Sequence, residues 1–303
     1  MKQGIFYVLL CIIFSFRANA SNFPDWALTP PGDDRLWFYS VGAGNNVTDA
    51  RTNALADLTS RLSVTVQSTS QQLVSAENNN ADFYLDIDTK QRSNVYTFNR
   101  VEVLQQYLDA QHNMIYVLTR INKDSFFEQL HQHVLSQVTQ VSINAGDNKA
   151  LQLEKLILFN WQKRSILQDL ALLKAYQQDT DKIDAKLQIL ESQFANLANN
   201  TPISVITQNT TDNNKLGQWL NKAGFNLSVK SNDSALQVLM TNNNQWQGQD
   251  DFQFAHKQKV DLAFVFNSTM LYQKTLSAIA FAPTKAVAKV KASQKLLKQL
   301  NTN

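Results

Sequence analysis

Cysteine is all but absent: the 303 residues hold one, Cys11, inside an apolar run near the start. A chain with one thiol there cannot be stapled by disulfides and has no cysteine-based metal centre. Proline and glycine are also scarce, at five and eight residues, which excludes collagen-like and linker-like chains. Apolar residues are not scarce, at 44%, so the composition is not that of a disordered chain. At roughly 150 residues per domain the length allows about two domains, each able to bury a core.

The first twenty residues separate from the rest. Lys2 precedes the apolar run from Ile5 to Phe16, and Ala18-Asn19-Ala20 puts small residues at the positions a signal peptidase reads. About twelve apolar residues are too few to span a bilayer, which takes roughly twenty. Residues 1–20 are therefore expected to be a secretory signal cleaved after Ala20, with an uncleaved anchor as the rival. Cleavage would remove Cys11, and Leu10 before it argues against a lipid there. It would also leave 26 basic against 25 acidic residues. Such a chain has no global field to hold nucleic acid, and no arginine-rich stripe appears. The expectation is a soluble, exported, periplasmic protein.

Residues 21–123 read mostly as strands around one helix. Leu36 to Ala43 is strand-like and aromatic, and Val47 to Leu62 is a helix carrying Ala50, Ala54, Leu58 and Leu62 at every fourth position. Leu62, Val64 and Val66 alternate with polar residues as a half-buried strand would. Asn94 to Tyr107 and Met114 to Ile121 predict two more strands around a turn at Asp109–Asn113. Residues 124–200 read as helices. Asp124 or Ser125 can cap the first, Ser125 with Glu128 fitting a capping box, and Phe127, Leu130, Val134, Val138 and Val141 form an apolar stripe before a break near Gly146. A helix over Asn148–Gln177 and another with Ile183, Leu187, Leu190, Phe194 and Leu197 at coiled-coil spacing predict an antiparallel hairpin.

Residues 201–303 predict a small α/β domain: a strand at Ile203–Thr207, a helix at Asn213–Ala223 stopped by Gly224, and a strand at Phe225–Val229. The polar run Asn242–Asp251 reads as a loop, Val260–Phe266 and Met270–Ile279 as paired strands, and Pro283 as the start of a last helix. In that helix Ala288, Ala292, Leu296 and Leu300 repeat the spacing of Ala50, Ala54, Leu58 and Leu62, a pattern any amphipathic helix on a sheet can share.

Pro24-Asp25-Trp26, the strand ending in Val41-Gly42-Ala43-Gly44 and the helix Ala50-Arg51-Thr52-Asn53-Ala54-Leu55-Ala56-Asp57-Leu58 resemble the LPP-20 envelope lipoprotein family over about residues 23–125. The resemblance implies a strand–helix–strand–strand fold of the SHS2-like kind, used for assembly rather than catalysis. It also implies a kinship with accessory proteins of the flagellum at the outer membrane. The chain departs from the family in lacking the lipid-bearing cysteine, which favours a soluble partner of an envelope complex.

Catalytic chemistry is sparse. His131 and His133 lie about 200° apart around a helix and cannot share a metal. Asp86 and Asp88 would share one face of a strand, as a general acid and base or a calcium site needs, but have no third partner in sequence. His112 and His256 have no nucleophile pattern near them, and Gly42-Ala43-Gly44 lacks the third glycine of a dinucleotide loop. No catalytic residue, cofactor or metal site is therefore expected. The candidate interface residues are Trp26, Trp37, Phe38 and Tyr39 around the first strand, and Lys285, Lys289 and Lys295 of the last helix. That helix also carries Lys291 and Lys298 against an apolar side assigned to Val287, Val290, Leu297 and Leu300, which suits peripheral contact with an anionic surface.

The expected fold class is α+β: an SHS2-like domain, a helical hairpin and a small C-terminal α/β domain. The expected role is a non-enzymatic structural or assembly protein of the envelope, with envelope proteins such as flagellar basal-body components or outer-membrane lipoproteins as partners. The alternative is a periplasmic binding or regulatory module for peptidoglycan, a small ligand or an envelope enzyme, with a concave pocket at strand ends.

Overall fold

The computed structural model describes residues 23–76, 96, 98–207, 210–222, 224–227, 236–250 and 253–301. The expected signal and the Asp86–Asp88 pair lie outside the described residues. The chain is α+β and divides into two compact units, one within Met1–Ser63 and Arg92–Phe126, the other within Val64–Gln91 and Phe127–Asn303.

In the first unit a short helix, α1 (Asp25–Leu28), precedes β1 (Trp37–Gly44), and α2 (Val47–Ala76), which belongs to this unit as far as Ser63, starts three residues later. Two strands follow, β2 (Glu102–Asp109) and β3 (Met114–Asn122), giving an antiparallel sheet ordered β1-β3-β2. β1 alternates, with Phe38, Ser40, Gly42 and Gly44 buried. Ser40 and Thr119, on neighbouring strands, share a buried hydroxyl hydrogen bond of 2.9 Å. The stripe Ala50, Ala54, Leu58, Leu62 is buried as its spacing requires. Small residues are needed there because β1 and α2 nearly touch: a Cβ on Gly42 would meet the Ala50 carbonyl oxygen at 2.1 Å and the Ala54 nitrogen at 2.2 Å. Beyond Phe38 the core is aromatic, with Phe126 against Phe38, Tyr96 and Phe98 at centroid distances of 5.9, 5.8 and 5.5 Å.

Two expectations fail in this stretch. Leu62, Val64 and Val66 continue α2 rather than forming a strand; Leu62 and Val66 are buried one turn apart while Val64 is exposed. Of the strand expected from Asn94, the described residues 96 and 98–101 are not strand; β2 begins at Glu102, after Arg100 turns the backbone to a positive φ of 58°.

β3 runs directly into α3 (Lys123–Gln140), and the cap is Asn122, whose Oδ1 accepts the Ser125 N–H at 2.8 Å. Ser125 is therefore inside the first turn, not the cap of a capping box. The stripe Phe127, Leu130, Val134, Val138, Val141 is buried. After the break, Asn148 caps α4 (Lys149–Ala175) by accepting the Leu151 N–H at 2.9 Å, and α5 (Asp181–Asn199) follows. The α4–α5 pair is the expected antiparallel hairpin, since Lys174 meets Asp184, Lys163 meets Glu191 and Phe159 meets Phe194 in reverse order. α3 meets it through Phe127 against Tyr176, and Lys155 of α4 holds the connection between α3 and α4 by bonding Asp147 and the Ser142 carbonyl.

The last part of the second unit is a five-stranded mixed sheet made of β4 (Pro202–Thr207), β5 (Asn226–Leu227), β6 (Leu236–Asp250), β7 (Gln253–Phe266) and β8 (Thr269–Ala282), in the order β5-β4-β6-β7-β8. β4 is parallel to β5 and β6, and the remaining pairs are antiparallel. α6 (Thr210–Lys222) joins β4 to β5 and ends at Gly224, whose φ of +85° explains the glycine. One sheet face buries Ile203, Val238, Leu262 and Phe264, with Trp161 of α4, Trp219 of α6 and Tyr272 of β8 stacked beside them. The expected loop at Asn242–Asp251 is instead strand β6 through Asp250, paired with β7 along its length apart from a bulge at Trp246/Gly248.

The same sheet carries α7 (Lys285–Asn301), capped by Thr284, whose hydroxyl accepts the Val287 N–H. Ala288, Ala292 and Leu296 are buried on β7 and β8, opposite the small residues Ala278, Ala280 and Ala282. Val287 and Val290, of the apolar side expected to suit an anionic surface, are 43% and 55% exposed, because the sheet takes the alanine row.

Candidate functional site

The aromatic residues around β1 fall on two faces. Phe38 points into the core, while Trp37 and Tyr39 are half-buried on the opposite face. There the Arg120 guanidinium lies 4.0 Å from the Trp37 ring centre and pairs with Glu102 at 2.7 Å. Phe23 packs edge-on against Tyr107 and Tyr116 on this face, and Trp26 is half-buried on α1.

Two adjacent aspartates hold the approach to β1. Asp34 Oδ1 accepts the Leu36 and Trp37 N–H groups, each at 2.7 Å, and its Oδ2 accepts the Tyr39 hydroxyl at 3.1 Å. Asp33 accepts the Tyr39 N–H at 2.8 Å and pairs with Arg61 at 2.9 Å. Partial burial works to raise the Asp34 pKa, but the two backbone donors, the Tyr39 hydroxyl and the Lys123 charge outweigh it and hold the carboxyl below its usual range. Trp37 and Tyr39 are thus positioned by a hydrogen-bonded frame.

The sequence reading missed an exposed apolar edge. β2 is an outer strand of its sheet among the described residues, and it exposes Val103, Leu104 and Leu108, the last by 59%. A bulge between Val103 and Gln105 bends the strand there. The sequence placed a strand here, flanking the turn at Asp109–Asn113, but not at the edge of a sheet.

Of the lysines expected on the last helix, Lys295 donates to the Ile279 carbonyl at 3.0 Å, with Gln299 donating to Ser277 beside it. Lys285 lies over the Phe254 ring at 5.9 Å, and Lys289 is exposed. His256 is buried on β7, where burial and then the Lys289 charge lower its pKa.

Among the described residues no group of three or more His, Cys, Asp or Glu could hold a metal ion. His131 is half-buried and His133 exposed on α3. His112 Nδ1 lies 2.7 Å from Asp109 Oδ2, and Asp109 also accepts the Gln111 and His112 N–H groups, closing the turn between β2 and β3. The His112 hydrogen bond, more than the opposing burial, lowers the Asp109 pKa. Among the described residues Asp169 is the most perturbed acid: it is buried on α4, desolvation pushes its pKa up to about 7, and its Oδ1 has no hydrogen-bond partner. A shallow hollow of about 430 Å³ lies on α3, lined by Gln132, Leu135, Ser136, Thr139 and Gln140, with no titratable side chain. No described helix is long and apolar enough to cross a membrane.

No protein-family model matches the chain, and no curated protein matches it. Among solved structures it is similar to the secreted protein HP1454 of Helicobacter pylori, at 15% identity and a TM-score of 0.40, over 89% of this chain and 98% of that one. A minor lipoprotein of Acinetobacter baumannii is similar over 33% of this chain and 85% of its own, at 15% identity and a TM-score of 0.26. The rare lipoprotein B of Shewanella oneidensis is similar over 34% and 85%, at 11% identity and a TM-score of 0.24. All three likenesses are distant, and none carries an argument about function.

Proposed function

We propose that the chain is an exported, non-enzymatic protein of the cell envelope that acts as a structural or assembly component through contacts with other envelope proteins. The observation that carries this reading is the β2 edge, where Val103, Leu104 and Leu108 face solvent on a strand whose outer side is unpaired among the described residues. An edge of this kind offers main-chain hydrogen bonds and apolar contact together, which is how one chain adds a strand to another. The signal-like start and the Pro24–Leu58 resemblance support an envelope address, and a flagellar association follows from that resemblance alone.

The test is to recover a tagged copy from crosslinked envelopes beside a Leu104→Ser/Leu108→Ser variant. Both side chains are exposed, so the variant is expected to fold. Enrichment of flagellar basal-body proteins or outer-membrane lipoproteins by the natural chain, lost in the variant, is the expected result. Equal recovery by both would remove β2 from the proposal. Recovery of a cell-wall enzyme alone would favour the regulatory module instead.

A further inference from the structure

The two edges of the three-stranded sheet β1-β3-β2 differ. At β1 the outward backbone groups are largely taken. Asp34 accepts the Trp37 N–H and donates its own N–H to the Trp37 carbonyl, and Asp33 accepts the Tyr39 N–H. Arg61 donates to the Tyr39 carbonyl, and Asn53 to that of Ala43. Outside β2 there is no further strand among the described residues. A sheet open at both edges can extend without limit, whereas one open at a single edge closes when it meets a second copy.

The register shows which groups of β2 are open. Trp37 and Tyr39 point their backbone away from β3, so the alternation of an antiparallel ladder turns Phe38, Ser40 and Gly42 towards it and their partners Ile121, Thr119 and Val117 towards β1. Tyr116 and Leu118 then face β2, where they meet Tyr107 and Gln105. The N–H and C=O groups of Gln106 and Leu108 are left pointing outward. Around Gln106 the strand reads Leu104-Gln105-Gln106-Tyr107-Leu108, nearly the same in both directions. An antiparallel copy turned about Gln106 sets Gln106 beside Gln106, and Leu104 beside Leu108 twice. Both leucines are exposed, and the bulge adds exposed Val103 next to Leu104, opposite Thr119. None of the five positions is charged, and the flanking carboxylates are engaged within the chain, Glu102 by Arg120 and Asp109 by His112 and the turn.

We propose that β2 pairs with β2 of a second copy of this chain, about a two-fold axis between the two Gln106 residues, joining two three-stranded sheets into one of six strands. The proposal rests on the reading of β2 as a contact edge and names the partner of that edge. Any extended strand could take the main-chain bonds, but a copy of this one also matches leucine to leucine and brings no like charges face to face. Five residues of strand make a small interface, so the dimer is weak, with a dissociation constant in roughly the micromolar range. The pair, not the single chain, is then the unit that other envelope proteins meet.

The experiment follows the full chain by sedimentation velocity from roughly 1 to 100 µM, around that affinity, where a monomer should give way to a dimer. Leu104→Lys/Leu108→Lys should weaken the dimer by about tenfold or more, through two lost cross-strand pairs and lysines at the edge. Gln106→Pro should also weaken it, because it removes an outward N–H while sparing the ladder to β3. These side chains are exposed, and unchanged circular dichroism would establish that the variants fold. On a Cys11→Ser background, Gln106→Cys should form a disulfide-linked dimer under mild oxidation, whereas Leu108→Cys alone should not, since Leu104 is its neighbour across the axis. A monomer at every concentration, or equal crosslinking at positions 106 and 108, overturns the proposal. So does association indifferent to the lysine variant, which would place the contact elsewhere, as in the apolar run Ile5–Phe16. A monomeric chain whose envelope partners are still lost in Leu104→Ser/Leu108→Ser would sink self-pairing alone; a dimer that recovers no envelope protein would sink the envelope reading alone.

Discussion

The Ala50 carbonyl oxygen sits 2.1 Å from where a Cβ on Gly42 would be, so β1 and α2 meet there backbone against backbone. No rotamer change can relieve such a contact, because both partners are main chain. Gly42→Ala should therefore cost about 3 kcal/mol, at the upper end for overpacking. Gly32 and Gly146 have nothing within 4 Å of the equivalent point, and alanine at either should stay within about 0.5 kcal/mol of the natural chain. Urea unfolding of the three variants compares them directly, and equal midpoints would remove the close approach from the account.

The helical stripes were legible because each repeats over several turns. Phe127 to Val141 and Ile183 to Leu197 have no other way to share a face. Leu62-Val64-Val66 is too short to decide: alternation and a four-residue step agree at Leu62 and Val66, and only the exposure of Val64 separates them. Asn242–Asp250 was illegible for a different reason. Asparagine and glutamine disfavour strands locally, and this segment is a strand because β7 pairs with it, a long-range contact. Of the candidate site, the lysines and aromatics could be named from sequence, but not that Phe38 turns away from Trp37 and Tyr39. That Val287 and Val290 face outward follows from the alanine row taking the sheet.

Asp34 organises the start of β1 through its bonds to the Leu36 and Trp37 N–H groups. Because its pKa is lowered on folding, the stability it lends is complete above the ordinary carboxylate value of 3.8 and is lost as pH falls through the lowered, folded-state value. Asp34→Ala should lower the thermal midpoint at neutral pH and flatten the acid limb of the stability curve. Asp34→Asn, which keeps an acceptor for the backbone groups, should fall between. An Asp34→Ala protein with the natural midpoint and acid limb would contradict this role.

Among the described residues β8 ends its sheet, but two of its carbonyls are occupied, Ile279 by Lys295 and Ser277 by Gln299. Side chains from α7 thereby blunt an edge that also exposes Ile279 and Phe281. Lys295→Ala/Gln299→Ala is expected to increase self-association with concentration, measured by light scattering, while the unfolding midpoint shifts little. A variant that stays as monodisperse as the natural chain at every concentration would show that these bonds do not protect the edge.

Asp169 is buried on α4 with one oxygen unpartnered, and its pKa is pushed up to about 7 because the charged form is desolvated. The unfolded chain holds this group at 3.8, so between the two values the folded state keeps a proton that the unfolded state has released. Stability from this group is therefore full below pH 3.8 and declines as pH rises through about 7, by up to about 4 kcal/mol. The exposed carboxylates act in the opposite direction, so the comparison must be made within one residue. Asp169→Asn cannot ionise, and the difference in unfolding free energy between it and the natural chain should move in favour of asparagine from pH 5 to pH 8. A difference that stays constant over that range would mean that the carboxyl remains ionised or reaches water in solution.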